Sequence, residues 1–182
     1  MNEKIQNVLK DIHSKNILNP SLSNLKNASI EFEPTKDPIT VFADKIRIFE
    51  VLTNLITNAI KFSDGKPITI TVKKIQNNDI DFKHTLAGNR EVNALDVNEN
   101  PDESMKKKMI AVVSIRDRGE GIDSDILPRL FTKFTTKSSQ GTGLGLYISK
   151  SIIEAHGGQI WAQNNYDNDK GAIFSFSLPL SE

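Results

Sequence analysis

Apolar residues recur along this chain at two spacings, one typical of amphipathic helices and one typical of strands. The helical spacing predicts helices at 3–15, from Asp44 to the turn at 63–65, and at 144–156. The long middle helix has an apolar stripe at steps of three and four residues, formed by Phe49, Leu52, Ile56 and Ala59. Runs of β-branched, aromatic and other apolar residues predict strands at 28–34, 39–43, 67–75, 109–117, 159–165 and 171–180.

The order of these elements indicates the fold class. Strands occur in consecutive pairs, and Thr35–Pro38 is the predicted turn between the first two. Such pairs, with helices between them, favour an α+β fold: a two-layer α/β sandwich with a mixed, mostly antiparallel sheet and the helices on one face. Strands and helices do not alternate as in a doubly wound sheet. A length of 182 residues fits one domain over 1–182.

One long segment interrupts this pattern. Residues 76–108 are rich in Asn, Asp, Glu and Lys and follow neither spacing. A loop of this length is unusual in a compact domain, so we expect a polar hairpin insertion that is partly disordered and carries no chemistry.

Composition excludes several classes of function. Lys plus Arg and Asp plus Glu both number 23, so there is no net charge to attract nucleic acid or an acidic membrane surface. Cysteine is absent, which excludes disulfides and thiol chemistry. No segment has the length and hydropathy of a membrane span or a signal peptide. We expect a cytoplasmic domain without direct membrane or nucleic-acid contact, although its parent protein could still be membrane-anchored.

The long helix has a polar stripe. At about 100° per residue, Asn58 lies about 40° to one side of Asn54 around the helix axis and Lys61 about 20° to the other side, so the three side chains share one stripe. Amide oxygens are suitable ligands for Mg²⁺, and a lysine can bind phosphate as a point charge. The alternative interpretation is an ordinary solvated helix face.

A second polar stretch, Asp117 to Asp123, follows the predicted strand 109–117. The Asp117 carboxylate at a strand end can accept a hydrogen bond from an exocyclic amine such as that of adenine, and nearby glycines let the backbone approach a flat ring. A plain charged turn is the alternative.

Two stretches then precede the last helix. In 130–137, Phe131 and Phe134 have the spacing of one packed helical turn, which by itself indicates core, and Lys137 could reach a phosphate from the following loop. In 141–150, three alternate glycines precede a helix whose free amides could bind an anion. The latter lacks the lysine of a Walker loop and the preceding strand of a dinucleotide-binding turn.

Together and in this order, NLITNAIKFS, DRGEGI, LFTKF and GTGLGL resemble the N, G1, F and G2 boxes of the GHKL nucleotide-binding superfamily. The resemblance is strongest to the catalytic and ATP-binding (HATPase) domain of sensor histidine kinases, whose Bergerat fold is the two-layer sandwich described above. EAHGGQIWAQNN and GAIFSFSLPL are similar to the closing helix and strands of that family, so the resemblance covers about 3–180 except for 76–108.

The resemblance implies ATP and Mg²⁺ as cofactors. Asn58 would be the Mg²⁺ ligand, Asn54 and Lys61 would line the triphosphate site, and Asp117 would accept from the adenine amine. Phe62 would cover the base, and Phe131 and Phe134 would anchor a short lid. The remaining residues that the four boxes imply for nucleotide binding are Gly119, Gly121, Ile122, Lys137, Gly141, Thr142, Gly143, Leu144, Gly145 and Leu146.

The residue at position 54 separates subclasses of the superfamily. By the same resemblance, members that hydrolyse ATP have a glutamate there as general base, whereas this chain has Asn54. We therefore expect poor hydrolysis and catalysis by positioning and charge neutralisation, with the γ-phosphoryl group kept for another acceptor. Glu50, one turn earlier, is a less suitable base.

The resemblance implies a protein-histidine kinase of a two-component phosphorelay, with the acceptor histidine on a dimerisation hairpin absent from this chain. None of His13, His84 and His156 has the flanking residues of an acceptor, and His156 is better explained as a helix C-terminal residue. A response regulator would be an indirect partner, and the isolated domain is expected to be a monomer. Two alternatives stay open: a stand-alone GHKL protein-serine kinase or anti-sigma-like module, and an ATP-sensing interaction domain.

Overall fold

The computed structural model describes residues 1, 3, 29–35, 38–76, 109–136, 141–165 and 170–181. The elements in chain order are β1 (Ile30–Glu33), α1 (Lys45–Phe62), β2 (Ile68–Gln76), β3 (Met109–Arg116), a short 3₁₀ helix (Leu127–Arg129), α2 (Gly145–Ala155), β4 (Ile160–Asn164) and β5 (Ala172–Pro179). The predicted insertion at 76–108 lies outside the described residues except for Gln76, which is the last residue of β2 and not part of a loop. The predicted helix at 3–15 also lies outside them, except for Glu3.

The five strands form one sheet in the order β1-β2-β3-β5-β4. β1 pairs with β2 in parallel, and the three other pairs are antiparallel. The sheet is therefore mixed and mostly antiparallel, as predicted.

The predicted pairing of 28–34 with 39–43 is wrong. β1 instead pairs with β2, with Ile30 beside Ile68, and residues 39–43 contribute only a single bridge from Val41 to Leu180. A parallel pair needs a crossover, and α1 supplies it between β1 and β2. The polar Thr35–Pro38 stretch has the composition of a hairpin turn. Local sequence does not reveal that the strand before it pairs with a segment more than 30 residues further along the chain.

α1 begins and ends where local chemistry dictates. The Asp44 carboxylate accepts hydrogen bonds from the backbone N–H groups of Ile46 (2.8 Å) and Arg47 (3.1 Å), which confirms the predicted N-cap. At the other end, Asp64 (φ 53°) and Gly65 (φ 76°) turn the chain toward β2 through left-handed conformations that aspartate and glycine tolerate.

The core lies between the helices and one face of the sheet. The predicted stripe of α1 is buried at Leu52, Ile56 and Ala59 and half-buried at Phe49. The buried face is wider than predicted, because α1 packs against both the sheet and α2, and it also includes Ile48, Val51, Leu55 and Ile60. Alternate residues of β2, β3 and β5 supply the opposite layer, among them Ile70, Ile115 and Phe176.

His156 ends α2 and ties it to α1. One ring nitrogen, Nδ1, lies 2.7 Å from the Ile152 carbonyl oxygen, and Nε2 accepts from the Asp44 backbone N–H at 3.0 Å. This places His156 at the helix C-terminus, as predicted, with both ring nitrogens engaged. Neither described helix combines the length and hydropathy needed to cross a bilayer.

Candidate functional site

One cavity of about 300 Å³ gathers residues from the polar stripe of α1, the loop after β3, and the glycine-rich turn before α2. The lining residues that the sequence predicted are Asn54, Asn58, Lys61, Phe62, Asp117, Gly121, Ile122, Gly141, Thr142, Gly143, Gly145 and Leu146. Gly119, Phe131 and Leu144 are not among the lining residues, and Lys137 lies outside the described part of the chain. Residues separated by nearly 100 positions thus meet at one place.

The α1 side of the cavity is polar and held by a long-range contact. Asn54 donates from Nδ2 to Ser149 Oγ at 2.9 Å, and Ser149 is buried within α2. A Cβ atom at Gly145 would lie 2.5 Å from Asn54 Oδ1, so the amide oxygen is directed at the first residue of α2. A side chain at 145 would therefore displace the Asn54 amide from this position.

Lys61 and Phe62 lie at the end of α1. The Lys61 ammonium is 5.4 Å from the centroid of the Phe62 ring, within the range of a cation–π contact. Phe62 is 53% exposed although it is a large apolar side chain. Its ring is thus available to cover a flat ligand in the cavity.

Asp117 is a buried carboxylate at the end of β3, with 3% of its surface exposed. Its Oδ1 accepts from the backbone N–H groups of Gly119 (2.9 Å) and Ala172 (3.1 Å). Burial raises the pKa of Asp117 above its ordinary value, and the two backbone hydrogen bonds counter that effect. Both bonds use Oδ1, so within the described residues Oδ2 keeps its accepting capacity.

The loop after Asp117 is shaped by backbone contacts. A side chain at Gly119 would clash with the Phe62 carbonyl group, so this glycine lets the loop pack on the end of α1. Gly121 has φ 90° and lines the cavity. The side chain of Asn164, on β4, bonds both the N–H and the C=O of Ile122.

The prediction that Phe131 and Phe134 pack as one helical turn is wrong for Phe134. Phe131 is half-buried against the core, whereas Phe134 is 72% exposed and has φ 64°. The 3₁₀ helix ends at Arg129, so helical spacing no longer applies beyond it. The Phe134 N–H donates to the Gly143 carbonyl oxygen at 3.0 Å, which joins this segment to the glycine-rich turn.

The first turn of α2 faces the cavity without a side-chain cap from any described residue. The Leu144 N–H reaches Thr142 Oγ1 only at 3.4 Å. Exposed amides at a helix N-terminus attract anions through their hydrogens and the helix dipole. Gly143, at φ 68°, needs glycine because a Cβ would meet the Phe134 backbone.

The chemistry of the lining limits what can bind. Apolar side chains from Ile122, Ile126, Leu130 and Phe174 occur beside the buried Asp117 carboxylate, two primary amides and one ammonium group. The exposed Asp123 and three threonines also line the cavity. The residues described contain no group of three His, Cys, Asp or Glu side chains suited to holding a metal ion alone. A cation here would need oxygens from the ligand in addition to the amide oxygens.

Several residues escaped the sequence analysis. Asn164, Ser149 and Ala172 bond to predicted site residues, and Phe174 lines the cavity, yet all four lie in segments that indicate only helix or strand. Ala172 acts through its backbone, for which no side-chain signal exists. A buried serine in an apolar helix face was the one signal available.

Residues 43–182 match the protein family described as histidine kinase-, DNA gyrase B-, and HSP90-like ATPase. The sensor protein FixL of Bradyrhizobium diazoefficiens is 29% identical over 180 residues, covering 99% of this chain and 30% of FixL. The sensor protein KdpD of Clostridium acetobutylicum is 37% identical over 160 residues, covering 85% of this chain and 14% of KdpD. The chain thus spans less than a third of the length of these two relatives.

Solved structures show the same architecture. The catalytic domain of histidine kinase ThkA is similar with a TM-score of 0.67 and 27% identity, over 98% of this chain and 92% of that chain. This likeness confirms the predicted two-layer α/β fold class, and the family match confirms the predicted resemblance.

Proposed function

The chain belongs to the family of histidine kinase-, DNA gyrase B-, and HSP90-like ATPases, and we propose that it is the domain of a sensor histidine kinase that binds Mg²⁺-ATP in the cavity described above. The γ-phosphoryl group would pass to a histidine on a separate dimerisation hairpin. The observation that carries this proposal is the shared cavity of Asp117, the asparagines of α1 and the uncapped N-terminus of α2.

The Asp117 side suits an adenine base. Oδ2 can accept from the exocyclic amine of adenine, whereas guanine has a carbonyl oxygen at that position, which the carboxylate would repel. Ile122, Ile126 and Phe174 supply apolar surface for a flat ring, and Phe62 lies at the same cavity. A buried carboxylate with an unused oxygen beside apolar walls therefore supports adenine selectivity.

The α1–α2 side suits a polyphosphate. Lys61 and the N-terminal amides of α2 would bind phosphate oxygens, and glycines at 141, 143 and 145 leave the backbone accessible. Asn58 would be the protein ligand of Mg²⁺, with Asn54 beside it, and this amide donor set fits an ion that shares its coordination with phosphates. Mg²⁺ would neutralise the charge of the transferring group. Lys137 remains proposed as a further phosphate contact.

The side chain at position 54 supports transfer rather than hydrolysis. An amide cannot take a proton from water, and the Asn54 amide already donates to Ser149. Glu50, the nearest carboxylate along α1, is exposed and pairs with Arg47 at 3.0 Å. It is not among the residues that line the cavity. Activity would therefore depend on an acceptor brought to the bound nucleotide.

The partners follow from this scheme. The acceptor histidine would lie on the dimerisation hairpin of the parent protein, and a response regulator would receive the phosphoryl group from that histidine. His156 does not fit the acceptor role, because both its ring nitrogens lie within hydrogen-bonding distance of backbone atoms. The isolated domain would be a cytoplasmic monomer, without direct membrane or nucleic-acid contact.

Two measurements test the proposal. Calorimetry with ATP, ADP and GTP should show binding of the adenine nucleotides and no measurable binding of GTP; equal affinity for ATP and GTP would contradict the adenine assignment. Incubation with γ-labelled ATP and a purified histidine-bearing hairpin of the parent gene should label the hairpin with an acid-labile phosphate. Binding of ATP without transfer to any hairpin would favour an ATP-sensing module, and acid-stable label on serine would favour a protein-serine kinase.

A further inference from the structure

We propose that Asn164, on the edge strand β4, is a positioning residue for nucleotide binding that holds the Gly121–Ile122 segment in its binding conformation. This inference rests on the proposed function and deepens it, because it identifies what keeps the base-binding side of the cavity in shape. Asn164 is not among the residues that line the cavity, so it would act through the loop and not through contact with the ligand.

The geometry is a two-point contact between one side chain and one backbone residue. Asn164 Oδ1 accepts from the Ile122 N–H at 2.6 Å, and Asn164 Nδ2 donates to the Ile122 carbonyl oxygen at 2.7 Å. The two bonds fix the orientation of the amide, because reversing it would oppose two donors and two acceptors. The Asn164 side chain thereby makes the two hydrogen bonds to the Ile122 backbone that a neighbouring strand would make in a sheet.

The loop depends on this contact. Within the described residues, the N–H and C=O of Ile122 have no other hydrogen-bond partner. Gly121 precedes it with φ 90°, a conformation that glycine adopts freely but that nothing local enforces. Without the amide of Asn164, the peptide groups around Ile122 would be free to turn toward water or into the cavity.

The absence of a side chain at Gly121 leaves the space that the Asn164 amide occupies. A Cβ atom at Gly121 would lie 2.8 Å from Asn164 Oδ1, so a side chain at 121 would displace the amide. The missing side chain of Gly121 therefore admits the Asn164 amide as well as opening the cavity. This gives the glycine a second reason to be present, independent of any close approach to a base.

β4 and β5 also support Asp117, the neighbouring group in the cavity. Asn164 lies opposite Ala172 in the β4–β5 ladder, and the Ala172 N–H donates to Asp117 Oδ1. Gly171 lets this turn approach so closely that a Cβ there would clash with the Asp117 carbonyl oxygen. One strand end thus holds both the carboxylate and the Ile122 segment, which places Asn164 at the base-binding side and away from the asparagines of α1.

Few side chains could replace asparagine here. Aspartate would keep the acceptor for the Ile122 N–H but would set a carboxylate oxygen against the Ile122 carbonyl oxygen. Alanine would remove both bonds, and serine could restore only one. The Asn164→Asp substitution is therefore the sharpest test, because it changes one atom and preserves shape.

The experiment measures adenine-nucleotide affinity and folding stability in the wild type, Asn164→Asp, Asn164→Ala and the control Gln163→Ala. Gln163 is the preceding residue on β4, is half-buried, and is not a cavity residue. We expect ADP affinity to fall about 10-fold or more in both Asn164 variants, from the loss of one or two hydrogen bonds. The ratio of affinities with and without Mg²⁺ should stay at its wild-type value, and Gln163→Ala should bind normally.

A structural readout separates positioning from general destabilisation. In ¹⁵N spectra of folded Asn164→Asp, the amide resonances of Gly121 and Ile122 should shift while those of β2 and α1 stay in place. In the wild type, the Ile122 amide should exchange with solvent more slowly than the Gly121 amide; fast exchange of Ile122 would overturn the proposal even if both variants failed to fold. Wild-type ADP affinity in either folded Asn164 variant would also overturn it. Absence of ADP binding by the wild type would instead defeat the proposed function itself.

Discussion

Asp117→Asn separates the contribution of this residue to binding from its contribution to folding. The substitution keeps the size of the side chain and leaves an oxygen to accept from the Gly119 and Ala172 N–H groups. It replaces the second carboxylate oxygen with an NH₂ group, which would face the exocyclic amine of adenine. Two donors would then oppose each other where a charged acceptor had met a donor.

The expected effects differ in size. A hydrogen bond to a charged group contributes about 1.5–3 kcal/mol, so losing it should weaken ATP binding by about 10- to 150-fold. Folding should change little, because weaker backbone hydrogen bonds are offset by the loss of a buried charge. We expect the melting temperature to stay within about 4 °C of the wild type, which corresponds to about 1 kcal/mol for a chain of this size.

The dependence on pH gives an independent check. Burial raises the pKa of Asp117 in the folded state, so between the ordinary value and the raised value the folded protein binds more protons than the unfolded chain. The stability contributed by this group is therefore present at low pH and declines as pH rises through that window. The melting temperature of Asp117→Asn, relative to the wild type, should rise across the same window.

The assay is calorimetric titration of both proteins with ATP at neutral pH, beside thermal melts from acidic to neutral pH. Asp125→Asn is the matched control, because it makes the same chemical change in an exposed residue of the same loop that does not line the cavity. Unchanged ATP affinity in Asp117→Asn would refute the assignment of the carboxylate to adenine. A large fall in the melting temperature together with lost binding would mean that Asp117 serves the fold.

Three further substitutions test other parts of the site and the fold. Asn58→Ala should abolish the Mg²⁺-dependent part of ATP affinity and leave metal-free binding intact; titrations with and without Mg²⁺ would show whether an equal metal effect persists. Gly158→Ala should lower the free energy of unfolding by about 1–3 kcal/mol, because its Cβ would clash with the Ser177 carbonyl oxygen. Urea denaturation measures this change, and an unchanged free energy of unfolding would contradict the prediction. Ser149→Ala should lower that free energy by about 1 kcal/mol and weaken ATP binding, since Asn54 Nδ2 loses its acceptor; binding as in the wild type would exclude a role for this contact.

Much of the fold was predictable because its signals are local. The Asp44 cap, the ends of α1 and α2, and the β4–β5 pair depend on residues close to one another in sequence, and all were predicted. The cavity residues were predictable for another reason, since the order of the four boxes matches a known superfamily. The partner of β1 was not predictable, because β2 begins 35 residues after β1 ends and no local pattern marks a parallel pair.

Contacts between distant segments were invisible for the same reason. Asn164 is 42 residues from Ile122, and Ser149 is 95 residues from Asn54. An asparagine at the end of a strand indicates only a turn. A serine within a helix does not show from sequence alone which residue it will bond to. The prediction for Phe134 failed for a different reason. Its spacing from Phe131 is helical, but the 3₁₀ helix ends at Arg129, before the chain reaches either residue.

Two supporting units hold opposite parts of the cavity. α1 and α2 are joined by two hydrogen bonds, one near their ends between His156 and the N-cap Asp44 and one beside the cavity between Asn54 and Ser149. The proposed phosphate site therefore lies between two helices that are held together at two points. Asp117 and Ile122 are instead held by the paired ends of β4 and β5, through Ala172 and Asn164. A ligand that contacts both units would connect them. Because such a ligand binds only the folded protein, the stability of the protein should rise with ligand concentration. Because the base-binding side and the phosphate side have separate supports, damage to one need not change the other. The affinity for ADP and its dependence on Mg²⁺ can therefore be altered independently by substitutions at Asn164 and Asn58.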